Sequence, residues 1–184
     1  DILITSGGVS AGSHDFIKNL ISEYGEIYFE KIKMKPGKPF TFGRLKNKIL
    51  IFGLPGNPVS SIVTCKLLVI PSIKYISGYN NYSNFRINVI LDNDIKLDPS
   101  RPEYHRATIY WNNNKNIFFA NSTGNQLSSA LLSMKNADVL LELPCSNEIL
   151  KAGSTVSAIL NNDLQLNYIP NNILRIGILT VSDR

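Results

Sequence analysis

Residues 1–12 read Asp1-Ile2-Leu3-Ile4-Thr5-Ser6-Gly7-Gly8-Val9-Ser10-Ala11-Gly12, and this stretch decides the fold. Its first five residues form an apolar run without polar alternation, which is typical of a strand buried on both faces of an α/β sheet. The glycines then predict a turn. Apolar residues at helical spacing from Phe16 to Tyr24 predict a helix that Gly25 ends in a left-handed conformation. Strand, glycine turn and helix in this order indicate an α/β domain.

A second strand-to-helix junction follows along the chain. Residues 27–34 and 49–54 are predicted strands, and Asn57 is the predicted N-cap of a helix with Pro58 in its first position. Pro71 is predicted to end or kink this helix. Because a buried strand opens the sequence, we expect earlier strands of the sheet to be missing from it.

After the polar residues 79–84 the hydrophobic pattern changes to a period of two. Residues 85–91 alternate between apolar and more polar side chains, as in a half-buried strand. Further strands are predicted near residues 107–111, 116–120, 138–143 and 154–160. One helix is predicted over about residues 127–135. We therefore expect an α/β region over residues 1–80, followed by a small β-rich, barrel-like domain over residues 84–160.

The composition is that of a globular protein, since 43% of the 184 residues are hydrophobic. No stretch approaches the roughly 18 consecutive apolar residues of a membrane helix, so we expect a soluble protein without a membrane span. Cys65 and Cys145 lack the spacing of a zinc or redox motif. They are expected to be free thiols in a reducing compartment, which favours the cytoplasm.

The net charge of +5 is concentrated in the first part of the chain. Residues 1–80 carry ten Lys or Arg against five Asp or Glu, whereas residues 81–184 carry nine of each. Four cations, Lys31, Lys33, Lys35 and Lys38, lie in one short stretch. A nucleic-acid binder usually spreads its charge along a helix face or groove. This distribution favours a small polyanionic ligand and argues against nucleic acid.

The glycine turn Ser6–Gly12 is a candidate anion site, because loop NH groups and the dipole of the following helix can hold a negative charge. A turn of this kind is about as often purely structural. Asp15, near the start of the helix, has two interpretations. It complements the positive helix N-terminus, or it holds Mg²⁺ against ligand phosphates.

The lysine-rich stretch Lys31–Pro39 is a second candidate. Residues 31, 33 and 35 are predicted to share one side of a strand, because side chains alternate with a period of two. Three crowded ammonium groups favour an oxyanion or phosphate site over a solvated edge strand. Two prolines fix the loop geometry, so Lys35 and Lys38 are expected to converge on one tetrahedral anion. Charge alone leaves phosphate, sulfate and molybdate open.

The junction Gly53–Ser60 is a third candidate, since the helix that follows it again presents free NH groups. Ligands of open α/β sheets bind outside the carboxyl ends of the strands. Both glycine-containing junctions are therefore expected to line one cleft. A purely structural cap is the alternative role of Asn57.

In the β-rich region, Arg101 and Arg106 are candidates for bidentate binding of an oxyanion. A surface ion pair with Glu103 or another carboxylate is at least as common for such arginines. His105 is assigned no role, because an isolated histidine is more often structural than a metal ligand.

Together these motifs resemble the molybdenum insertases of the MoeA and gephyrin family. The resemblance lies in the run Ser6–Gly12, in Lys35-Pro36-Gly37-Lys38-Pro39 and in Leu54-Pro55-Gly56-Asn57-Pro58-Val59-Ser60. Residues 101–106, 122–126 and 131–134 are similar to the eukaryotic branch of the family, and the resemblance extends to about residue 160. Residues 174–184 resemble the first strand of a molybdopterin adenylyltransferase domain, with residues 161–173 as a linker.

The resemblance implies a molybdopterin molybdotransferase, which inserts molybdate into adenylylated molybdopterin and releases AMP. The implied fold is a three-layer α/β molybdopterin-binding domain with a mixed, mostly parallel and partial sheet, followed by the small β-rich domain. Catalysis, with Asp15 as a ligand of Mg²⁺, is implied for Asp15, Lys31 and Lys35. Molybdate or phosphate is implied near Ser10, Lys35, Lys38, Pro39, Ser60, Arg101 and Ser128. The loops around the cofactor would contain Gly7, Gly8, Gly12, Pro55, Gly56 and Asn57.

The resemblance also implies a homodimer formed through the insertase domain. In a parent protein of plant-type domain order, an adenylyltransferase domain would supply the molybdopterin intermediate. Because the first subdomains of the family are missing from the sequence, the isolated chain is expected to be inactive. The alternative from a different class is a gephyrin-like scaffold that anchors receptors and the cytoskeleton, although the domain order argues against it. An unrelated phosphate-binding α/β domain would explain the glycine loops but not the five motifs in this order.

Overall fold

A computed structural model describes residues 1–9, 16–46, 48–161 and 176–180. The chain divides into two compact units, one formed by Asp1–Tyr82 with Asn167–Arg184 and the other by Ser83–Leu166. The strands are β1 (Ile2–Ser6), β2 (Gly25–Glu30), β3 (Thr41–Leu45), β4 (Leu50–Leu54), β5 (Arg86–Leu91), β6 (Ile95–Lys96), β7 (Glu103–Asn112), β8 (Ile117–Ser122), β9 (Val139–Leu143), β10 (Ile149–Leu150), β11 (Thr155–Leu160) and β12 (Ile176–Thr180). The α-helices are α1 (Phe16–Tyr24), α2 (Pro58–Thr64), α3 (Ile70–Ile76) and α4 (Leu131–Lys135).

The first unit contains a five-stranded mixed sheet in the order β12-β1-β4-β3-β2. The three strands β12, β1 and β4 run parallel, whereas β3 is antiparallel to both of its neighbours. Strand β1 is an interior strand of this sheet and is mainly apolar, as the opening run of the sequence predicts. Residues 174–184 were expected to open a further domain. The structure places their described part, β12, beside β1 in this sheet.

Helices cover both faces of this sheet. Helix α1 buries Ile17 and Ile21 against Ile51, while its other apolar residues, including Phe16 and Leu20, stay exposed. On the other face, the segment from α2 to α3 packs Val69 against Phe52 and its neighbours. The predicted helix over residues 16–24 is confirmed, and so is its amphipathic character.

Gly25 does not end helix α1 in a left-handed conformation, so that prediction was wrong. It begins β2 and pairs with Leu45 of β3. A Cβ at this position would lie 2.1 Å from the Arg44 carbonyl oxygen. The residue is therefore needed because the backbone of the neighbouring strand approaches closely, and not because the helix needs a positive φ.

Pro71 does not end the second helical segment. Helix α2 continues through a π-helical turn, Cys65–Val69, into α3, where Pro71 occupies the first turn. The wider turn brings the Ile70 NH to the Cys65 carbonyl and prepares the helix for a residue that lacks an NH donor.

Among the described helices, the continuous segment Pro58–Ile76 is long and apolar enough to cross a membrane by length and composition. Its residues Val69, Leu68 and Ile73 contribute to the core against the sheet. Helices in the core of water-soluble proteins are often as long and as apolar as this one, so the segment does not establish a membrane span.

The second unit is a closed five-stranded barrel in the order β11-β5-β8-β7-β9, with β9 returning to β11. All pairings in the barrel are antiparallel except β5 with β8. Its interior contains small and branched apolar side chains such as Val89, Leu91, Val139 and Leu141. A short two-stranded sheet, β6 with β10, lies outside the barrel. The predicted fold class, an α/β region followed by a small barrel-like domain, is confirmed.

Candidate functional site

The two glycine-containing junctions meet at one edge of the sheet in the first unit. Strands β1 and β4 are neighbours and run parallel, with Ser6 opposite Leu54. The Gly7 NH donates to the Leu54 carbonyl over 3.0 Å, and the Ser6 and Ser61 hydroxyl oxygens are 3.5 Å apart. A Cβ on Gly56 would lie 3.5 Å from the Gly7 Cα. Both loops therefore line the same region outside the carboxyl ends of β1 and β4.

The lysine-rich stretch forms a loop and not a strand. Strand β2 ends at Glu30, and Lys31 adopts a left-handed conformation with φ 60°. The Lys31 NH donates to the Phe40 carbonyl over 3.0 Å, and the Ile32 NH to the Lys38 carbonyl over 2.9 Å, which closes the loop. The prediction that residues 31, 33 and 35 share one side of a strand was wrong, because strand β2 has already ended.

The lysine loop packs on helix α2 through Gly37. This residue has φ 111°, and a Cβ there would lie 2.4 Å from Cγ2 of Thr64. Thr64 in turn donates its hydroxyl to the Ser60 carbonyl over 2.8 Å. The loop between Lys35 and Pro39 is therefore held beside the helix that begins at the second glycine junction.

The predicted anion-binding residues differ in exposure. Lys35 and Pro39 are half-buried and Lys38 is exposed. Ser60 is buried in the first turn of helix α2, and its backbone carbonyl accepts the Thr64 hydroxyl. Of these groups, the exposed ammonium of Lys38 is the most accessible to an anion from solvent.

A carboxylate at the start of the lysine loop faces two ammonium groups. Glu30 lies 3.1 Å from the Lys18 Nζ and 3.8 Å from the Lys31 Nζ. Lys66, in the π-helical turn, is buried with 8% of its surface exposed. Neither Lys18 nor Lys66 was identified from the sequence, because each lies singly within a helical stretch. The carboxylate of Glu30 therefore offsets part of the positive charge that Lys18 and Lys31 bring to this end of the lysine loop.

Several polar atoms near the glycine junctions are buried without a hydrogen-bond partner. Asn57 is the N-cap of helix α2, as predicted, yet its side chain makes no capping bond and its Oδ1 is unpaired. The hydroxyls of Thr5 and Thr41, which lie opposite Gly53 on either side, are unpaired as well. Buried polar groups are normally satisfied by protein, water or ligand. The first unit therefore has unused hydrogen-bonding capacity beside the second junction.

Ser10, Gly12 and Asp15 lie outside the described residues, so their predicted roles stay predictions. Within residues 1–9, 16–46, 48–161 and 176–180, no group of three or more His, Cys, Asp or Glu side chains is arranged to hold a metal ion. Cys65 and Cys145 are free thiols, as expected. Burial raises the pKa of the Cys65 thiol, which disfavours the reactive thiolate.

Arg101 and Ser128 belong to the second unit. Arg101 is half-buried at the end of a turn in which Asp98 Oδ1 accepts from the backbone NH groups of Ser100 and Arg101, at 2.8 and 3.1 Å. Ser128 is half-buried in the segment between β8 and α4. Their approach to the residues of the first unit stays a prediction.

Strand β7 carries a buried polar network that the sequence analysis did not identify. Nδ1 of His105 lies 3.2 Å from Glu103 Oε1, and Nε2 of His105 lies 2.7 Å from the Ser122 hydroxyl. The histidine is thus satisfied on both nitrogens and has a structural role. Arg106 is fully buried, and desolvation lowers the pKa of its guanidinium despite the nearby Glu103. The alternation of Glu103 and His105 along one strand is the signal that could have revealed this pairing.

Comparisons with known proteins match both units. Residues 1–75 match the family described as "Probable molybdopterin binding domain", and residues 88–160 match "MoeA C-terminal region (domain IV)". Gephyrin of Dictyostelium discoideum is 43% identical over 87% of this chain and 25% of its own length. Molybdopterin molybdenumtransferase of Haemophilus influenzae is 38% identical over 85% of this chain and 39% of its own length.

A solved structure described as a molybdopterin biosynthesis MoeA protein from Pyrococcus horikoshii is 26% identical, with a TM-score of 0.66. The match covers 88% of this chain and 37% of that chain. The chain thus spans about a quarter to two fifths of the length of these relatives.

Proposed function

Since the chain belongs to the MoeA and gephyrin family, we propose that the complete protein of which it is a part acts in molybdenum cofactor biosynthesis as a molybdopterin molybdotransferase. It inserts molybdate into adenylylated molybdopterin, and AMP is released. The observation that carries the proposal is the meeting of both glycine junctions at one sheet edge, with the lysine loop packed on the helix of the second junction.

The chemistry of the substrates fits these residues. Molybdate and the pyrophosphate group of the adenylylated cofactor are both anions, and the lysine loop carries Lys31, Lys35 and Lys38. Attack by water breaks the phosphoanhydride bond and leaves negative charge on the departing AMP and on the molybdopterin phosphate. Ammonium groups fixed beside that bond stabilise this charge as it develops. Ser10 and Ser60 would donate hydroxyl hydrogen bonds to molybdate, as would Ser128, with Arg101 as a bidentate donor and Pro39 shaping the loop.

Backbone groups at the junctions would bind the cofactor. Gly7, Gly8 and Gly56 let a ligand approach the main chain closely, and Pro55 fixes the second loop. The unpaired Oδ1 of Asn57 gives one acceptor for an NH group of the pterin. Gly12 belongs to the same proposed loop.

The proposal includes a magnesium ion, which Asp15 would hold against the pyrophosphate group of the substrate. The described part of the chain contributes lysines to this region and no cluster of three possible metal ligands. A single carboxylate with substrate phosphates is a common arrangement for Mg²⁺, so the assignment is compatible with the donors present. When bound, the ion would neutralise phosphate charge, while Lys31 and Lys35 hold the substrate in place.

The setting of the activity is part of the same proposal. Residues 1–80 would form the second half of a molybdopterin-binding domain and residues 84–160 the C-terminal insertase domain. The linker 161–173 would lead to an adenylyltransferase domain beginning at 174–184. The protein would act in the cytoplasm as a homodimer that receives its intermediate from that domain.

The experiment is rescue of nitrate reductase activity in insertase-deficient cells by the complete gene product. We expect rescue by the wild type, and loss of rescue on Lys35→Ala and Asp15→Ala. The matched control is Lys96→Ala, which removes an exposed lysine of the barrel unit and should rescue normally. A well-expressed wild type that fails to rescue would overturn the insertase and favour the scaffold.

A further inference from the structure

The segment 123–130, here called the serine loop, connects β8 to α4 and carries Ser128. Within the loop, the Leu127 NH donates to Asn125 Oδ1 over 2.9 Å, and the Ala130 NH to the Leu127 carbonyl over 3.0 Å. These local turns do not by themselves place the loop against the barrel. That placement comes from one residue of β7, Arg106, which contacts the loop with both its backbone and its side chain.

The backbone of Arg106 pairs with the side-chain amide of Gln126. The Arg106 NH donates to Gln126 Oε1 over 2.9 Å, and Gln126 Nε2 donates to the Arg106 carbonyl over 3.1 Å. The same carbonyl also accepts the Thr123 NH over 3.0 Å. The amide thus takes the place of a strand partner and continues the pairing of β7 on its β8 side, which ends at Ala107 with Ser122, into the loop.

The Arg106 guanidinium holds the far half of the serine loop. Its Nη2 donates to the Asn125 and Leu127 carbonyls over 3.3 and 3.2 Å, and its Nε to the Ser133 hydroxyl over 2.7 Å. The side chain is fully buried, and its Nη1 has no hydrogen-bond partner. A fully enclosed guanidinium whose hydrogen bonds go to loop carbonyls and a serine is placed to fix a loop and not to bind an anion from solvent.

We propose that Arg106 and Gln126 are positioning residues that lock the serine loop in the shape in which Ser128 meets the oxyanion substrate. The inference rests on the proposed function, since the substrate is molybdate only if the chain is an insertase. It separates the two arginines of the family motif. Arg106 is enclosed and acts through Ser128, which directly follows Leu127, whose carbonyl the guanidinium binds, whereas Arg101 keeps the oxyanion contact already proposed for it.

The test measures AMP release from adenylylated molybdopterin against molybdate concentration with the complete gene product. Gln126→Ala should raise the half-saturating molybdate concentration about tenfold and leave the rate at saturating molybdate within about twofold. Arg106→Lys should act in the same direction more strongly, because an ammonium cannot hold three acceptors in the planar arrangement of the guanidinium. Arg86→Lys, on the surface of the same barrel, is the matched control and should leave the half-saturating concentration unchanged.

A second measurement follows the loop itself. Amide hydrogen exchange at Thr123 and Ala130 should accelerate in Gln126→Ala, while exchange in β5 and β11 stays as in the wild type. If exchange in the serine loop of Gln126→Ala accelerates but the molybdate dependence is unchanged, the positioning role is overturned. If exchange in the loop is unchanged, the claim that Gln126 holds the loop in place is overturned. Absence of molybdate-dependent AMP release by the wild type would instead overturn the proposed function and, with it, the role of Ser128, while the exchange data still decide whether the lock exists.

Discussion

Gly37 determines how the lysine loop sits on helix α2. Its φ of 111° belongs to the region that favours glycine, and its missing Cβ leaves room for Cγ2 of Thr64. The backbone of the loop that carries Lys35 and Lys38 therefore packs directly on helix α2 at Gly37.

Gly37→Ala should lower the free energy of unfolding by about 1–3 kcal/mol, because it combines a strained φ with an overlap. Under the proposed function, AMP release by the complete gene product should fall as well. Thr64→Ser removes the overlapping methyl, so the double variant should recover part of the loss, measured by urea unfolding. Gly153→Ala has a similar φ of 85° with no neighbour within 4 Å, and it isolates the cost of strain alone. Equal losses for both glycine variants would contradict the packing argument.

For single residues, the sequence predicted the start of helix α2 but not the backbone conformation of the lysine loop. Asn57 and Pro58 were placed correctly at the start of a helix, since N-cap and first-turn preferences are local. The prediction from the lysine alternation was wrong because Lys31 is left-handed and the strand has ended before it. The Lys31 NH instead bonds to the carbonyl of Phe40, nine residues further along the chain. The burial of Arg106 and Lys66 could not be read from the sequence, since it depends on tertiary packing.

At the scale of the elements, one ionic contact joins three barrel strands. Arg86 of β5 binds Glu142 of β9 through two nitrogens, Nε and Nη2, at 3.0 and 3.1 Å. Ser157 of β11 donates its hydroxyl to the same carboxylate over 2.6 Å. Partial burial alone would raise the pKa of the Glu142 carboxyl, but the hydrogen bonds from Arg86 and Ser157 outweigh it and hold this pKa below its ordinary value.

Glu142→Gln should therefore destabilise the barrel in a pH-dependent way. The folded-state pKa lies below the unfolded one, so the carboxylate contributes stability above the unfolded pKa and loses it as pH falls through the folded pKa. We expect a deficit of about 0.5–1 kcal/mol at pH 7, since the pair is partly exposed, and a vanishing deficit in strong acid. Urea unfolding at a series of pH values measures it. The exposed Glu148→Gln is the control, and a deficit that persists unchanged in strong acid would contradict the assignment.

Among the elements, the long periodic segments were predictable and the connections were not. The strands near residues 107–111, 116–120, 138–143 and 154–160 are present, although β7 begins earlier, at Glu103. Strand β3 was missed, because Gly43 interrupts its apolar alternation. Helix α4 covers only Leu131–Lys135 of the predicted residues 127–135, since Arg106 holds the preceding residues in the serine loop.

At the scale of the whole molecule, the two units bury their apolar side chains differently. The first unit buries both faces of an open sheet that ends in β2 and β12. The second closes its five strands on themselves, so every strand of the barrel is paired on both sides. Closure removes the edges that make small β domains prone to association. The pair that joins the first and last strands of the barrel, β11 with β5, and the parallel pair, β5 with β8, join distant parts of the sequence and leave no local signal.

The closed barrel should therefore fold without the first unit. Residues 83–166 expressed alone should show a single cooperative transition in urea, because their core is drawn from their own strands. Leu141→Ala, at a fully buried position, should lower the free energy of unfolding of this piece by about 2–5 kcal/mol. Leu132→Ala, at a position that is 74% exposed, should change it by less than about 0.5 kcal/mol. A gradual transition that Leu141→Ala does not alter would mean that the barrel depends on the first unit for its packing, because closure alone would then be too weak to order this core.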